Sequence, residues 1–213
     1  NPSAAGDNVE LEKDKDDNYV IHQILPRKNY IIRRSVNLSK QYHILATNLD
    51  QAILIVCATH PKTYSEFIDR FLVTATAYHI PAILVFNKID LYGEEELHQL
   101  KEWETIYGAA GYDCRRVSAQ NGEGVEVLKE LLKGKISMLS GHSGVGKSTL
   151  VNAVDSNLNL KTSEISDMHE QGKHTTTFAE MHELTFGGFV IDTPGIKGLG
   201  LADMTKTELC KYF

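Results

Sequence analysis

The chain has little of what would place it in a disulfide framework, in a membrane or broadly on nucleic acid. Its 213 residues contain only Cys57, Cys114 and Cys210, far apart in sequence. They form no C-x-x-C pair, so neither a zinc site nor a disulfide framework is expected within this chain. A reducing, cytoplasmic setting is the expectation instead. No uninterrupted apolar run of about 18 residues occurs, which excludes a membrane-spanning helix, and no signal peptide is visible. Basic residues number 22 against 28 acidic ones, a net charge of −6. Without a basic excess, any nucleic-acid surface has to be local. There is one tryptophan, Trp103, and it is expected to be a packing residue. No internal repeat is visible. The first residue is not Met, and both ends are expected to be incomplete.

What is present suffices for one sizeable core, or one core plus a small module: 42% of the residues are hydrophobic. Residues 1–38 read as a small β module. Val9–Glu12, Tyr19–Leu25 and Tyr30–Arg34 are its strands, separated by polar or proline-containing turns, as in part of an antiparallel barrel. Arg27, Lys28, Arg33 and Arg34 cluster beside Tyr30. They suit either RNA phosphates or an ordinary charged strand edge. Residues 39–51 read as a linker. From Ala52 onward the pattern changes. Ala52–Ala58, Ala82–Phe86 and Asp113–Val117 read as strands, and the first two are continuous apolar runs of the kind buried on both faces. Tyr64–His79, Leu97–Tyr107 and Gly124–Leu132 read as helices, Pro81 closing the first. Glu183–Phe186 and Gly188–Ile191 are expected as two further strands. Strands alternating with helices predict an α/β fold with a parallel sheet covered on both faces.

The chemistry centres on Gly141-His142-Ser143-Gly144-Val145-Gly146-Lys147-Ser148, followed by Thr149. This fits G-x-x-x-x-G-K-[ST], between a strand at Ile136–Leu139 and a helix entered through Leu150–Val154. Glycines let successive N–H groups point at phosphate oxygens, and the helix N-terminus adds a favourable dipole. Lys147 can reach the β- and γ-phosphates, and the Ser148 hydroxyl can ligate Mg²⁺.

Four further stretches complete the nucleotide reading. Asn87-Lys88-Ile89-Asp90 fits N-K-x-D, directly after a strand. The Asp90 carboxylate can accept from guanine N1–H and the exocyclic amine. Adenine offers neither donor, so Asp90 argues against an ATPase. Asn87 would tie loops together, and the Lys88 stem would cover the ring face. Ser118-Ala119 follows the next strand, where the Ala119 N–H would meet guanine O6. Asp192-Thr193-Pro194-Gly195 fits D-x-x-G, with Asp192 near Mg²⁺ through water and the Gly195 N–H near the γ-phosphate. Between the phosphate loop and this motif, Gly172-Lys173-His174-Thr175-Thr176-Thr177 can supply a threonine, Thr176, that ligates Mg²⁺ only when the γ-phosphate is present.

The order of these motifs is unusual: N-K-x-D and Ser118-Ala119 precede the phosphate loop, which precedes D-x-x-G. That is a circular permutation, tolerable because the same strands still pair. On these residues the chain resembles the circularly permuted GTPases and, within them, the ribosome small-subunit-dependent GTPase A family. The Gly172–Thr177 segment and Gly144 at the fourth phosphate-loop position are the most telling matches.

The resemblance implies three parts: an OB-fold barrel, here partial and at residues 1–38; the permuted GTPase domain, at 52–200; and a C-terminal zinc-binding domain, of which 201–213 is only the approach. Zinc is therefore expected outside this chain. The implied activity is hydrolysis of GTP to GDP and phosphate in late maturation of the small ribosomal subunit. The implied partners are that 30S subunit and its rRNA, with the protein a monomer. Ile196 stands where Ras-like proteins carry a water-positioning glutamine, and His174 is the candidate for that role, with an ordinary loop histidine as its alternative. The rival function is a GTP-gated rRNA-binding factor in which hydrolysis only resets the bound state.

Overall fold

The computed structural model describes residues 3–34, 42–160 and 179–192. The N-terminal part forms two hairpins. β1 (Val9–Lys13) pairs antiparallel with β2 (Tyr19–Ile24). β3 (Tyr30–Arg34) pairs antiparallel with β4 (Tyr42–Thr47). β4 lies inside the stretch expected as a linker. Its short apolar core, Ile44–Ala46, has neither strict alternation nor length, and the distant partner strand is what makes it a strand. The second hairpin shares its core with the α/β part of the chain. Ile31, Leu45, Ala46 and Leu49 lie in one buried cluster with Leu54, Ile68, Phe71 and Ile80.

Of the basic cluster, Arg27 is committed elsewhere. Its Nε and Nη2 donate to the Asp7 carboxylate at 2.7 and 2.8 Å, and the Asp7 side chain is only 2% exposed. Asp7 also accepts from the Thr47 hydroxyl at 2.9 Å and the Ala4 N–H at 2.8 Å. Lys28 reaches Asp50 at 3.0 Å on the surface, a pair of small energetic weight. The Arg27 hydrogen bonds hold the Asp7 carboxyl below the ordinary range. A depressed folded pKa stabilises above the unfolded value, about 3.9, and that stability is lost as pH falls through the folded value. Arg27→Ala should therefore cost about 3 kcal/mol near neutral pH, because the buried carboxylate loses its cation. Urea unfolding at pH 7 and pH 3 checks this: the gap between wild type and variant should narrow in acid.

From Gln51 the chain winds into one six-stranded sheet. β5 (Gln51–Val56) is buried throughout. α1 (Ser65–Ala77), β6 (Ala82–Phe86), α2 (Glu94–Ala109), β7 (Asp113–Arg116), α3 (Val125–Leu132), β8 (Ile136–Ser140), α4 (Lys147–Val154), β9 (Glu180–Glu183) and β10 (Phe189–Asp192) come after it. The spatial order is β7-β6-β5-β8-β10-β9. All neighbours are parallel except β9, which runs antiparallel to β10 at the edge. Residue parity splits the strands between two cores. Leu54, Val56, Leu84, Phe86 and Met138 meet α1 and α2. Ile53, Ile55, Val85 and Leu139 meet α3 and α4. Trp103 is the expected packing residue: it is 2% exposed and stacks on Phe86 with centroids 5.8 Å apart.

Some boundaries differ from the sequence expectation. α1 ends at Ala77, before Pro81, because His79 adopts a left-handed φ of 56° just past its C-terminus. α2 starts three residues early, where Glu96 accepts the Gly93 N–H at 2.9 Å. β9 ends where Glu183–Phe186 was expected to be a strand. Leu184 instead opens a turn closed by Leu184 N–H to Gly188 C=O and Gly187 N–H to Leu184 C=O, both 2.9 Å. The Asp155 carboxylate holds that turn through the Thr185 N–H at 2.7 Å.

Candidate nucleotide-binding site

The loops leaving the carboxyl ends of β5, β6, β7 and β8 open along one edge of the sheet, the place where α/β sheets take ligands. β8 lies between β5 and β10, so the loop Gly141–Gly146 opens near the sheet's centre. Val145 is fully buried and anchors it. Gly146 caps α4 in the left-handed region, φ 93°. A Cβ there would lie 2.5 Å from Asn87 Nδ2, so glycine serves both backbone geometry and close approach. Lys147 opens α4, and its Nζ donates to the Gly141 and His142 carbonyls at 2.8 and 3.0 Å. An ammonium has three N–H donors, so these two carbonyls do not exhaust its capacity. Burial lowers the Lys147 pKa, and the Asp192 carboxylate opposes that shift. Ser148 is buried at the next position. Ser143, Gly144 and Thr149 are exposed. The His142 ring stacks on Phe67 of α1, centroids 4.0 Å apart.

The N-K-x-D loop is bonded directly to the phosphate loop. Asn87 Nδ2 donates to the Val145 carbonyl at 2.8 Å. Lys88, in the left-handed region at φ 63°, donates through Nζ to the Gly144 carbonyl at 2.7 Å and the His60 carbonyl at 2.8 Å. Its stem therefore runs across the gap between three loops. Ile89 opens a short 3-10 turn that carries Asp90. The Ser118 hydroxyl donates to Asp90 Oδ1 in a very short hydrogen bond and accepts the Gln120 and Asn121 N–H groups at 3.3 and 3.2 Å. The Ala119 N–H makes only a long contact with Asn87 Oδ1, 3.4 Å. Asn87, Lys88, Asp90, Ser118, Ala119 and the phosphate loop thus form one connected network. Asp192 ends β10, opposite Leu139 of β8. Gly195, Ile196 and the segment with His174 and Thr176 lie outside the described residues.

Sequence reasoning missed two parts of this network. The Ser118 hydroxyl, rather than only the backbone beside it, holds Asp90. Tyr92 also joins in: its hydroxyl donates to the Asn87 carbonyl at 2.9 Å and accepts the Ala58 N–H at 2.8 Å. The one available signal was an aromatic residue just past N-K-x-D, ahead of a polar helix.

The sequence model of the RsgA GTPase family matches residues 24–202. The chain belongs to the RsgA GTPase family. It is 56% identical over 216 residues to the small ribosomal subunit biogenesis GTPase RsgA of Flavobacterium johnsoniae, covering 100% of this chain and 66% of that protein. It is 53% identical over 213 residues to the RsgA of Bacteroides fragilis, covering 100% and 69%. The chain therefore spans about two thirds of the length of these relatives. Among solved structures, YjeQ from Thermotoga maritima aligns with a TM-score of 0.74 at 37% identity, covering 100% of this chain and 68% of that one. YloQ, a circularly permuted GTPase, aligns at 0.71 and 26% identity, covering 100% and 64%. Family and topology agree: in this RsgA-family chain the N-K-x-D stretch after β6 precedes the phosphate loop after β8, so the GTPase domain is circularly permuted.

Proposed function

We propose that the protein hydrolyses GTP to GDP and phosphate in the cytoplasm as an assembly factor of the small ribosomal subunit, and that contact with that subunit and its rRNA stimulates turnover. The observation that carries the reading is the bonded junction of guanine motif and phosphate loop, Lys88 to Gly144 and Asn87 to Val145, in an RsgA-family chain. Guanine is selected by Asp90 and triphosphate by the loop, with the distance between the two sites set by that junction.

In the reaction a water attacks the γ-phosphorus, the bond to the β–γ bridging oxygen breaks, and GDP leaves. The work of this chain is positioning and charge stabilisation. Lys147 and the N–H groups of Gly144–Ser148 would face the negative charge that develops on the phosphate oxygens. The Ser148 hydroxyl and the Asp192 carboxylate are hard oxygen donors, the chemistry that suits Mg²⁺. Ser148 would ligate the ion directly, Asp192 through water, and Thr176 in the triphosphate state. When bound, the ion would supply positive charge that offsets the negative charge of the phosphate oxygens. His174 is the proposed water-positioning group, since the Ile196 side chain has no donor or acceptor.

The test is steady-state turnover of the intact protein, titrated with small ribosomal subunits and separately with large subunits. Turnover should rise and saturate with the small subunit alone. A rate that stays flat at saturating binding leaves only a GTP-gated binding factor, and stimulation by either subunit removes the assigned partner.

A further inference from the structure

We infer that Tyr92 is a positioning residue for guanine discrimination, holding the Asn87–Asp90 loop to the end of β5 through its phenol; this rests on the assignment of that loop as the base site. The Tyr92 hydroxyl is used in both directions. It donates to the carbonyl of Asn87, the first residue of the motif, at 2.9 Å. It accepts the N–H of Ala58, just past β5, at 2.8 Å. Ala58 is 4% exposed and Asn87 1%. Both backbone groups would be buried without a partner if the hydroxyl were absent, and such groups are costly.

The ring is anchored as firmly as the hydroxyl. Tyr92 packs against both hydrophobic cores, the one under α1 and α2 and the one under α3 and α4. It therefore sits where the sheet's carboxyl edge separates its two faces. The chain between Asp90 and Tyr92 is a single 3-10 turn, tightened by the Leu91 N–H to Lys88 carbonyl bond at 2.9 Å and the Tyr92 N–H to Ile89 carbonyl bond at 3.2 Å. A residue fixed at Tyr92 thus fixes Asp90 two positions away. The second hydrogen bond ties the same unit to the loop after β5, which itself reaches the phosphate loop through the His60 carbonyl and Lys88. Burial raises the Tyr92 pKa, so the phenol keeps its proton and its donor role throughout the neutral range.

The consequence is specific. Asp90 distinguishes guanine from hypoxanthine only if its second oxygen meets the exocyclic amine, and hydrogen-bond angles tolerate little displacement. Loosening the loop should erode that contact before it affects the phosphates. Tyr92→Phe removes one oxygen and keeps the ring. The experiment measures dissociation constants of GDP and IDP, together with kcat and KM for GTP, for the intact wild type, Tyr92→Phe and Asp90→Asn. The expected result is a preference for GDP over IDP reduced about tenfold in Tyr92→Phe, with the loss for GTP falling on KM rather than on kcat. A merely structural tyrosine would lower the melting temperature and weaken GDP and IDP by the same factor, and that outcome overturns the inference. If Asp90→Asn itself leaves the GDP-to-IDP ratio unchanged, the base-site assignment falls and takes this inference with it. A changed ratio in Asp90→Asn beside an unchanged one in Tyr92→Phe overturns the role of Tyr92 alone.

Discussion

Lys147→Ala is expected to lower GTP turnover at least about a thousandfold, on the scale of losing a preorganised donor that faces developing charge. The structure shows the cation already in place. The ammonium is held by the Gly141 and His142 carbonyls, so it is positioned before any phosphate arrives and needs no reorganisation on binding. Burial works against its charge, and the Asp192 carboxylate works for it. An incoming triphosphate adds further negative charge to the same place, which strengthens the lysine's protonated form. Alanine leaves the loop N–H groups but removes the side-chain cation that the loop holds over itself. It also leaves two inward carbonyls facing phosphate oxygens, a repulsive pairing. Lys147→Arg should not restore activity, because a planar guanidinium cannot occupy the point where both carbonyls converge on one nitrogen. Single-turnover assays at saturating GTP separate chemistry from binding. Turnover within about tenfold of wild type would remove Lys147 from the reaction.

Asp90→Asn is expected to weaken GDP binding by about 3 kcal/mol, roughly a hundredfold in Kd, as for hydrogen bonds lost by a charged group. The same change should improve xanthine nucleotide binding. Ser118 makes the outcome directional. Its hydroxyl donates to Asp90 Oδ1 and accepts two backbone N–H groups. Its proton is therefore committed to whichever oxygen stands at Oδ1. An asparagine in that place would turn its carbonyl toward Ser118 and its amide toward the base. An amide donor repels the guanine amine and pairs with the xanthine carbonyl. Titrations with GDP and XDP measure both halves of the exchange. Unchanged GDP affinity would show that the base lies elsewhere.

The candidate site could be read from the sequence because its motifs are contiguous. A phosphate loop must place several consecutive N–H groups around one anion, so its glycines, lysine and serine fall within eight residues of chain. Buried parallel strands were equally legible, because burial on both faces removes polar residues from the run, as in β5 and β6. The edge elements were harder. β4 and β9 are half-covered, their apolar residues follow neither period cleanly, and only pairing with β3 and β10 shows where each begins and ends.

Residue order alone was enough for the family and its permutation: N-K-x-D, then the phosphate loop, then D-x-x-G, and hence a permuted GTPase of the RsgA family. How those pieces are held emerged only in the folded chain. Arg27 answers Asp7 across 20 residues, Asn87 answers Val145 across 58, and Ser118 answers Asp90 across 28. Tyr92 answers Ala58 across 34. Two of these contacts pair side chains with each other, and two join a side chain to a backbone carbonyl or N–H. A backbone group has no letter of its own in the sequence, and a partner at that separation follows no period, so the fold alone brings the two together.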